Sequence, residues 1–298
     1  MKILLTGAGG QVGGALLRLL QDRANIVAPT RETFDLSQPA GLAEKLDSIG
    51  PDLIINPAAY TAVDRAEDER EMAFRVNAES PRAIAQWAAR RRVPLVHFST
   101  DYVFDGSGDR PWREDSAPRP LSAYGESKLA GDQAIAEAGG PHLIARTSWV
   151  YAATGANFLK TIVRLAGERE ELRIVADQTG APTTASAIAR PLVAMLQPAG
   201  EDIVAMFERR GGLVNLVCAG ETSWHGFATA IVSGLKSRGA KLAVKQIIPI
   251  GSSEFPVKAK RPFNSRLDLT RLRERFDIAM PTWQQALDRE LDVLKGTM

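Results

Sequence analysis

The stretch Lys2-Ile3-Leu4-Leu5-Thr6-Gly7-Ala8-Gly9-Gly10-Gln11-Val12-Gly13-Gly14, continuing as Ala15-Leu16-Leu17-Arg18-Leu19-Leu20, sets the architecture of the chain. A short apolar run, a glycine-rich turn and a helical stretch stand in the order strand, loop, helix. That order is what a phosphate-cradling βα junction needs. Glycine permits the positive φ of the tight turn and lets backbone approach a pyrophosphate, whose charge the helix N–H groups bind. Gly7, Gly10 and Gly13 satisfy G-x-x-G-x-x-G, whereas G-x-G-x-x-G would require glycine at Val12.

Further apolar runs follow at 25–28, 52–56, 94–98 and 142–145, each ending at turn-forming or polar residues. Helical patterns near 11–21, 39–48, 73–92 and 123–138 lie between them. This alternation predicts an α/β fold, a Rossmann-type doubly wound parallel sheet with its ligand crevice at the carboxyl ends of the strands. Beyond Val150 the alternation loosens into helices near 156–168, 184–197, 222–237 and 282–294 and strands near 213–217 and 246–250. Glycine and proline punctuate 179–182, 198–200 and 249–256. The expected division is a nucleotide-binding unit over 1–150, also receiving the helix near 184–197 and the strand near 213–217. Residues 151–298 would form mainly a smaller, discontinuous substrate-binding lobe.

Composition excludes several classes. With 37 basic and 35 acidic side chains among 298 residues the formal charge is +2, so no whole-molecule field favours nucleic acid or an anionic membrane. The single cysteine, Cys218, cannot make an intramolecular disulfide or a thiolate zinc site. The first apolar run is too short for a signal segment, and no run reaches the roughly 18 apolar residues of a membrane span. A cytoplasmic enzyme or binding protein is expected.

The second strand ends in Pro29-Thr30-Arg31, where an NAD site usually carries an acid. A guanidinium there pairs with a 2′-phosphate, so Arg31 favours NADPH, with NADH also open because Glu32 and Asp35 can accept from a free ribose. An exposed loop arginine is the plain alternative. Asp35 and Leu36 can flank the adenine, and the small residues of Ala58-Ala59-Tyr60 suit close approach to the dinucleotide.

The chemistry concentrates in Ser122-Ala123-Tyr124-Gly125-Glu126-Ser127-Lys128. On a helix, Tyr124 and Lys128 share a face. A phenol is a poor acid or base near neutrality, and a nearby ammonium brings its pKa toward the working range. At the end of the fourth strand, Ser99-Thr100-Asp101-Tyr102-Val103-Phe104 offers a hydroxyl for a substrate carbonyl, although Thr100 could equally cap a turn. His97, His142 and His225 lack metal spacing, and His97 and His142 read as structural histidines. Trp224 reads as packing, and Arg90-Arg91-Arg92 as a solvated helix end.

These motifs occur in a family order. Thr6–Gly13, Asn56-Pro-Ala-Ala-Tyr-Thr-Ala-Val-Asp64, Ser99–Phe104, Tyr124–Lys128, Arg146-Thr-Ser-Trp-Val-Tyr151, Asp177–Pro182 and Arg261-Pro-Phe-Asn-Ser265 together resemble the extended short-chain dehydrogenases/reductases. Within them the likeness is to the dTDP-4-dehydrorhamnose reductase family. The resemblance implies reduction of the 4-keto group of dTDP-4-dehydro-β-L-rhamnose, with Tyr124 as proton donor and Lys128 lowering the tyrosine pKa and holding the nicotinamide ribose. Thr100 would bind the keto oxygen, and Asp101, Tyr102 and Trp149 would meet the sugar. Gly7, Gly10, Gln11, Val12, Gly13, Asp35, Leu36, Ala58, Ala59 and Tyr60 match its cofactor positions. Members often carry a small residue where Tyr60 stands, and some use magnesium at a homodimer contact, for which the sequence shows no specific acidic spacing. A reductase or epimerase of another nucleotide sugar, or a non-catalytic nucleotide-binding regulatory subunit, are the competing readings.

Overall fold

The computed structural model describes residues 1–196 and 202–296. Five strands, β1 (Lys2–Leu5), β2 (Asn25–Val27), β3 (Leu53–Asn56), β4 (Leu95–Thr100) and β5 (His142–Thr147), form a parallel sheet with the edge strand Gly212–Asn215. Its order is edge strand, β5, β4, β3, β1, β2. The direction of winding reverses between β1 and β3, the switch point where a doubly wound sheet opens its crevice.

Side-chain alternation sorts the two faces. Ile3, Leu5, Leu53, Ile55, Val96, Phe98, Leu143 and Ala145 point to one side, where they pack against helix α1 (Gln11–Leu20) and the helix Ala185–Met195. Leu4, Ile54, Leu95 and Ile144 point to the other, against α2 (Leu42–Ile49), α4 (Ser80–Arg91) and α5 (Ala123–Ala138). Apolar burial on both faces explains why these strands read as unbroken apolar runs. Each fully buried leucine or isoleucine contributes about 1.5–3 kcal/mol relative to exposure.

Several elements depart from the sequence expectation. The fourth strand runs on through Ser99 and Thr100, because β5 pairs with it as far as Thr100↔Thr147. The helix expected over 73–92 is three pieces: α3 (Arg70–Phe74), a π-helical turn at Arg75–Glu79, and α4. The segment expected as a helix from 39 opens with a 3-10 turn at Pro39–Gly41 before α2. The helices Ile203–Arg210 and Thr270–Phe276 and the strand Glu171–Val175 are additional; each is short or weakly periodic by itself. The end of the helix expected over 184–197 and the punctuation at 198–200 lie outside the described residues.

The remaining chain builds a second core from Tyr151, Leu159, Ile162, Leu172, Phe227, Ile231, Trp283, Leu287 and Leu291. Its helices are Phe158–Glu168, Trp224–Ser237 and Trp283–Lys295. Glu171–Val175 pairs in parallel with Gln246–Ile250, while Thr222–Ser223, Thr179–Gly180 and Asn264–Ser265 form a small sheet. The chain thus leaves the large sheet after β5, enters this core, returns through Ala185–Met195 and Gly212–Asn215, and leaves again. No helix among the described residues is long and apolar enough to cross a membrane.

Candidate active site

The glycine loop lies at the carboxyl end of β1, against the segment that follows β3. Gly7 has φ +58°, and a β-carbon there would stand 2.9 Å from Ala58 Cα. A β-carbon on Gly13 would lie 2.1 Å from the Gly7 carbonyl oxygen, so α1 can approach the loop only with glycine at that position. The Gly10 N–H donates to Gly7 O at 2.9 Å, and no side chain caps α1. Its first-turn N–H groups, including those of Gln11 and Val12, therefore have no capping oxygen and suit an anionic ligand. The Gln11 side chain is engaged elsewhere, accepting from Asn157 Nδ2 at 2.9 Å.

At the end of β2 the Arg31 side chain is 79% exposed and 3.8 Å from Asp35. Asp35 accepts from Ser37 N at 2.9 Å and from Ser37 Oγ at 2.7 Å, bonds that hold its carboxyl below the usual range. Leu36 is buried, and its carbonyl accepts from Ser80 Oγ at 2.6 Å. Past Ala58 and Ala59, the Tyr60 backbone is clamped by Asn77: its N–H donates to Asn77 Oδ1 at 2.8 Å and its carbonyl accepts from Asn77 Nδ2 at 3.0 Å. The Tyr60 hydroxyl donates to Glu69 at 2.6 Å. Asn77 sits in the π-helical turn and also donates to Ser127 Oγ, tying the cofactor-side loop to α5. Sequence reading missed Asn77, although a π-turn is a frequent mark of a functional position.

Thr100 ends β4, and its hydroxyl makes the turn-capping bonds that sequence offered as the plain alternative to binding a carbonyl. It caps the 3-10 turn Asp101–Val103 by accepting from Tyr102 N at 3.2 Å, and it donates to Asp101 Oδ1 at 3.2 Å with the Tyr124 phenol close by. Tyr124 opens α5 behind the N-cap Ser122, whose hydroxyl accepts from Gly125 N at 3.2 Å. Gly125 is required there: a β-carbon would lie 2.2 Å from the Tyr102 carbonyl oxygen. The Tyr102 and Tyr124 rings meet edge to face at 5.5 Å. Burial pushes the Tyr124 phenol above its ordinary pKa, partly offset by the nearby Thr100 hydroxyl.

Lys128 is buried one turn further along α5, and burial lowers its pKa to about 8. Its amine is engaged by His97 Nε2 at 2.9 Å. His97, which sequence assigned to the core, is indeed buried, but its partner is the lysine of the catalytic motif. The strand alternation explains the meeting. Leu95, His97 and Ser99 share the face of β4 that α5 covers, and Lys128 and Asp132 are four apart on that helix. Ser99 Oγ donates to Asp132 at 2.5 Å, and Arg146 from β5 stands 3.6 Å from the same carboxylate. Asp101 is buried beside Thr100 and Ser265, and burial raises its pKa to about 7.

The motif ending in Ser265 closes over this end. Arg261 donates to the Tyr102 hydroxyl at 3.2 Å and to Asp64 at 2.6 Å. Trp149, with φ +49°, bridges β5 to the second core and stacks on Trp224 at 3.6 Å. Trp224 does pack, between Trp149 and the Phe158 and Phe227 rings of the second core; its indole N–H also donates to Gln178 at 3.1 Å. Among the described residues no group of three or more His, Cys, Asp or Glu side chains is arranged to hold a metal ion such as magnesium. Cys218 is buried and unpaired by disulfide.

A parallel sheet wound about a glycine loop, with Tyr124 and Lys128 on the helix facing β4, defines an extended short-chain dehydrogenase/reductase. The family described as "RmlD substrate binding domain" matches residues 1–295. The dTDP-4-dehydrorhamnose reductase of Burkholderia thailandensis is 47% identical over 296 residues, covering 96% of this chain and 97% of that protein. Its namesake in Escherichia coli K12 is 44% identical, covering 100% and 99%. The crystal structure of the Bacillus anthracis dTDP-4-dehydrorhamnose reductase in complex with NADP superposes with a TM-score of 0.88 at 32% identity, covering 98% of this chain and 99% of that one. The chain belongs to the dTDP-4-dehydrorhamnose reductase family.

Proposed function

We infer that this protein is an NAD(P)H-dependent reductase converting the C4 carbonyl of dTDP-4-dehydro-β-L-rhamnose into the hydroxyl of dTDP-β-L-rhamnose. The observation that carries the reading is the placement of Thr100 at the carboxyl end of β4 beside Tyr124, which stands one turn before the buried Lys128 on α5, in a chain 47% identical to a reductase of that name. The glycine cradle fits a dinucleotide: Gly7, Gly10 and Gly13 leave room for its pyrophosphate, and the Gln11 and Val12 N–H groups face it. Arg31, Asp35 and Leu36 would border its adenosine, and Ala58, Ala59 and Tyr60 the nicotinamide side. The bound dinucleotide supplies the hydride that reduces the carbonyl carbon.

The chain's own residues handle the oxygen. Thr100 and Tyr124 hydrogen-bond the keto oxygen, and the Tyr124 hydroxyl gives it a proton as the carbon is reduced. Lys128, one turn along the same helix face, would hold the nicotinamide ribose. Asp101, Tyr102 and Trp149 border the sugar. Arg31 biases the site toward NADPH through its fit to a 2′-phosphate.

The test is oxidation of NADPH and of NADH with dTDP-4-dehydro-β-L-rhamnose generated in situ, with the product identified by NMR. Formation of dTDP-β-L-rhamnose with the lower KM for NADPH is expected. Dinucleotide binding without turnover of this sugar would replace the reading with another nucleotide sugar or a regulatory role.

A further inference from the structure

Beneath the site a line of buried side chains runs from the glycine loop to the catalytic helix. Thr6 stands immediately before Gly7, Asn56 ends β3, His97 lies within β4 and Lys128 lies on α5; all four are buried. Asn56 and His97 are register partners in the sheet. Thr6 Oγ1 donates to Asn56 Oδ1 at 2.5 Å, Asn56 Nδ2 lies 3.2 Å from His97 Nδ1, and His97 Nε2 lies 2.9 Å from the Lys128 amine. We propose that His97 is a positioning residue for Lys128, holding the amine through an imidazole whose orientation and tautomer are set from Thr6 by way of Asn56. The proposal rests on the reading of Lys128 as part of the reductase site.

The chemistry of the line assigns the protons. The Thr6 hydroxyl accepts from Ala58 N at 3.4 Å, so its own proton is available to Asn56 Oδ1. With its oxygen engaged, the Asn56 amide presents N–H to His97 Nδ1, which accepts. A neutral imidazole then carries its proton on Nε2, aimed at the lysine. Burial keeps His97 neutral. Such an Nε2–H is satisfied by the lone pair of a neutral amine and opposes an ammonium.

The other groups around the amine act differently. Asp132, one turn on along α5, favours the ammonium, but its carboxylate is shared with Ser99 of β4 and Arg146 of β5. Tyr124 on α5 and Asp101 after β4 complete the titratable set at this end. His97 thereby pins the lysine at one point of the helix face and ties it, through three hydrogen bonds, to the residue that opens the phosphate loop.

The test follows Lys128 itself, so it stands whatever sugar the enzyme accepts. In full-length protein selectively labelled at lysine Cε, the Lys128 resonance is assigned by its loss in Lys128→Met and titrated by NMR. In His97→Asn, which cannot reach the amine, the midpoint rises by about 0.5 pH unit or more, roughly threefold in the ionisation constant. In the same variant kcat falls about 5- to 10-fold while dinucleotide affinity changes less than about threefold. His97→Gln, whose amide reaches the position of Nε2, restores the wild-type midpoint. An unchanged or lowered midpoint in His97→Asn overturns the proposal. If that variant fails to fold, 15N NMR of unsubstituted protein decides the matter: His97 protonated at Nε2 supports it, and protonation at Nδ1 overturns it.

Discussion

Two arginine–aspartate pairs border the same crevice and behave as opposites. At the end of β2, Arg31 and Asp35 lie 3.8 Å apart with side chains 79% and 28% exposed. Under the catalytic helix, Arg146 and Asp132 lie 3.6 Å apart with side chains 3% and 4% exposed. Distance alone would rank them equal. Water screens the first pair and leaves its guanidinium free to turn to a ligand, whereas the second is held among Ser99, Lys128 and the Phe104 ring. The molecule keeps the residues proposed to perform chemistry on rigid, fully packed elements, and leaves Arg31, proposed to distinguish the two dinucleotides, on a solvated rim.

The largest effect expected on the rigid side is Tyr124→Phe. It removes the proton donor and little binding surface, so kcat should fall by about 10²-fold or more while dinucleotide affinity measured by fluorescence titration stays nearly constant. A variant within threefold of wild-type kcat would deny Tyr124 its role. Asp132→Ala should follow, because it leaves buried cations without their carboxylate. Urea unfolding should show a loss of about 3–5 kcal/mol. A loss below about 1 kcal/mol would put this pair in the same class as the one on the rim.

Smaller effects sharpen the contrast. Asp101, raised from an ordinary 3.8 to about 7, binds its proton more tightly folded than unfolded. Its stabilising contribution is therefore complete below about pH 4 and disappears as pH rises through about 7. Between pH 5 and 8 the Tm of Asp101→Asn should fall less than that of the wild type, and parallel melting curves would contradict the buried, protonated carboxyl. The smallest effect is Arg31→Ala: stability within about 0.5 kcal/mol of wild type, with affinity for NADPH reduced about 3- to 10-fold and for NADH hardly at all. Equal losses for both dinucleotides would return Arg31 to an ordinary surface position.

Much of this molecule is legible in its sequence. The strand, glycine turn and helix at the amino end declare themselves because their signals are local: apolar runs and glycine spacing. The helix 123–138 is found over the same residues, opened by Ser122 and closed by Gly139 at φ +71°. The π-turn at Arg75–Glu79 is hidden because one extra residue per turn barely alters a helical apolar pattern. The second core is harder to read, since its strands of two to five residues owe their existence to partners distant in sequence: Glu171–Val175 is a strand because Gln246–Ile250 lies beside it.

The class of fold, the place of the phosphate loop and the helix face carrying Tyr124 and Lys128 are properties of the sequence, because each follows from spacing along one segment. What those side chains touch is a property of the tertiary structure alone. Asn56 meets His97 through sheet register, His97 meets Lys128 because α5 lies on that face of β4, and Trp149 meets Trp224 across the two cores. A period says which way a side chain points, but register and packing between distant segments say what is waiting there.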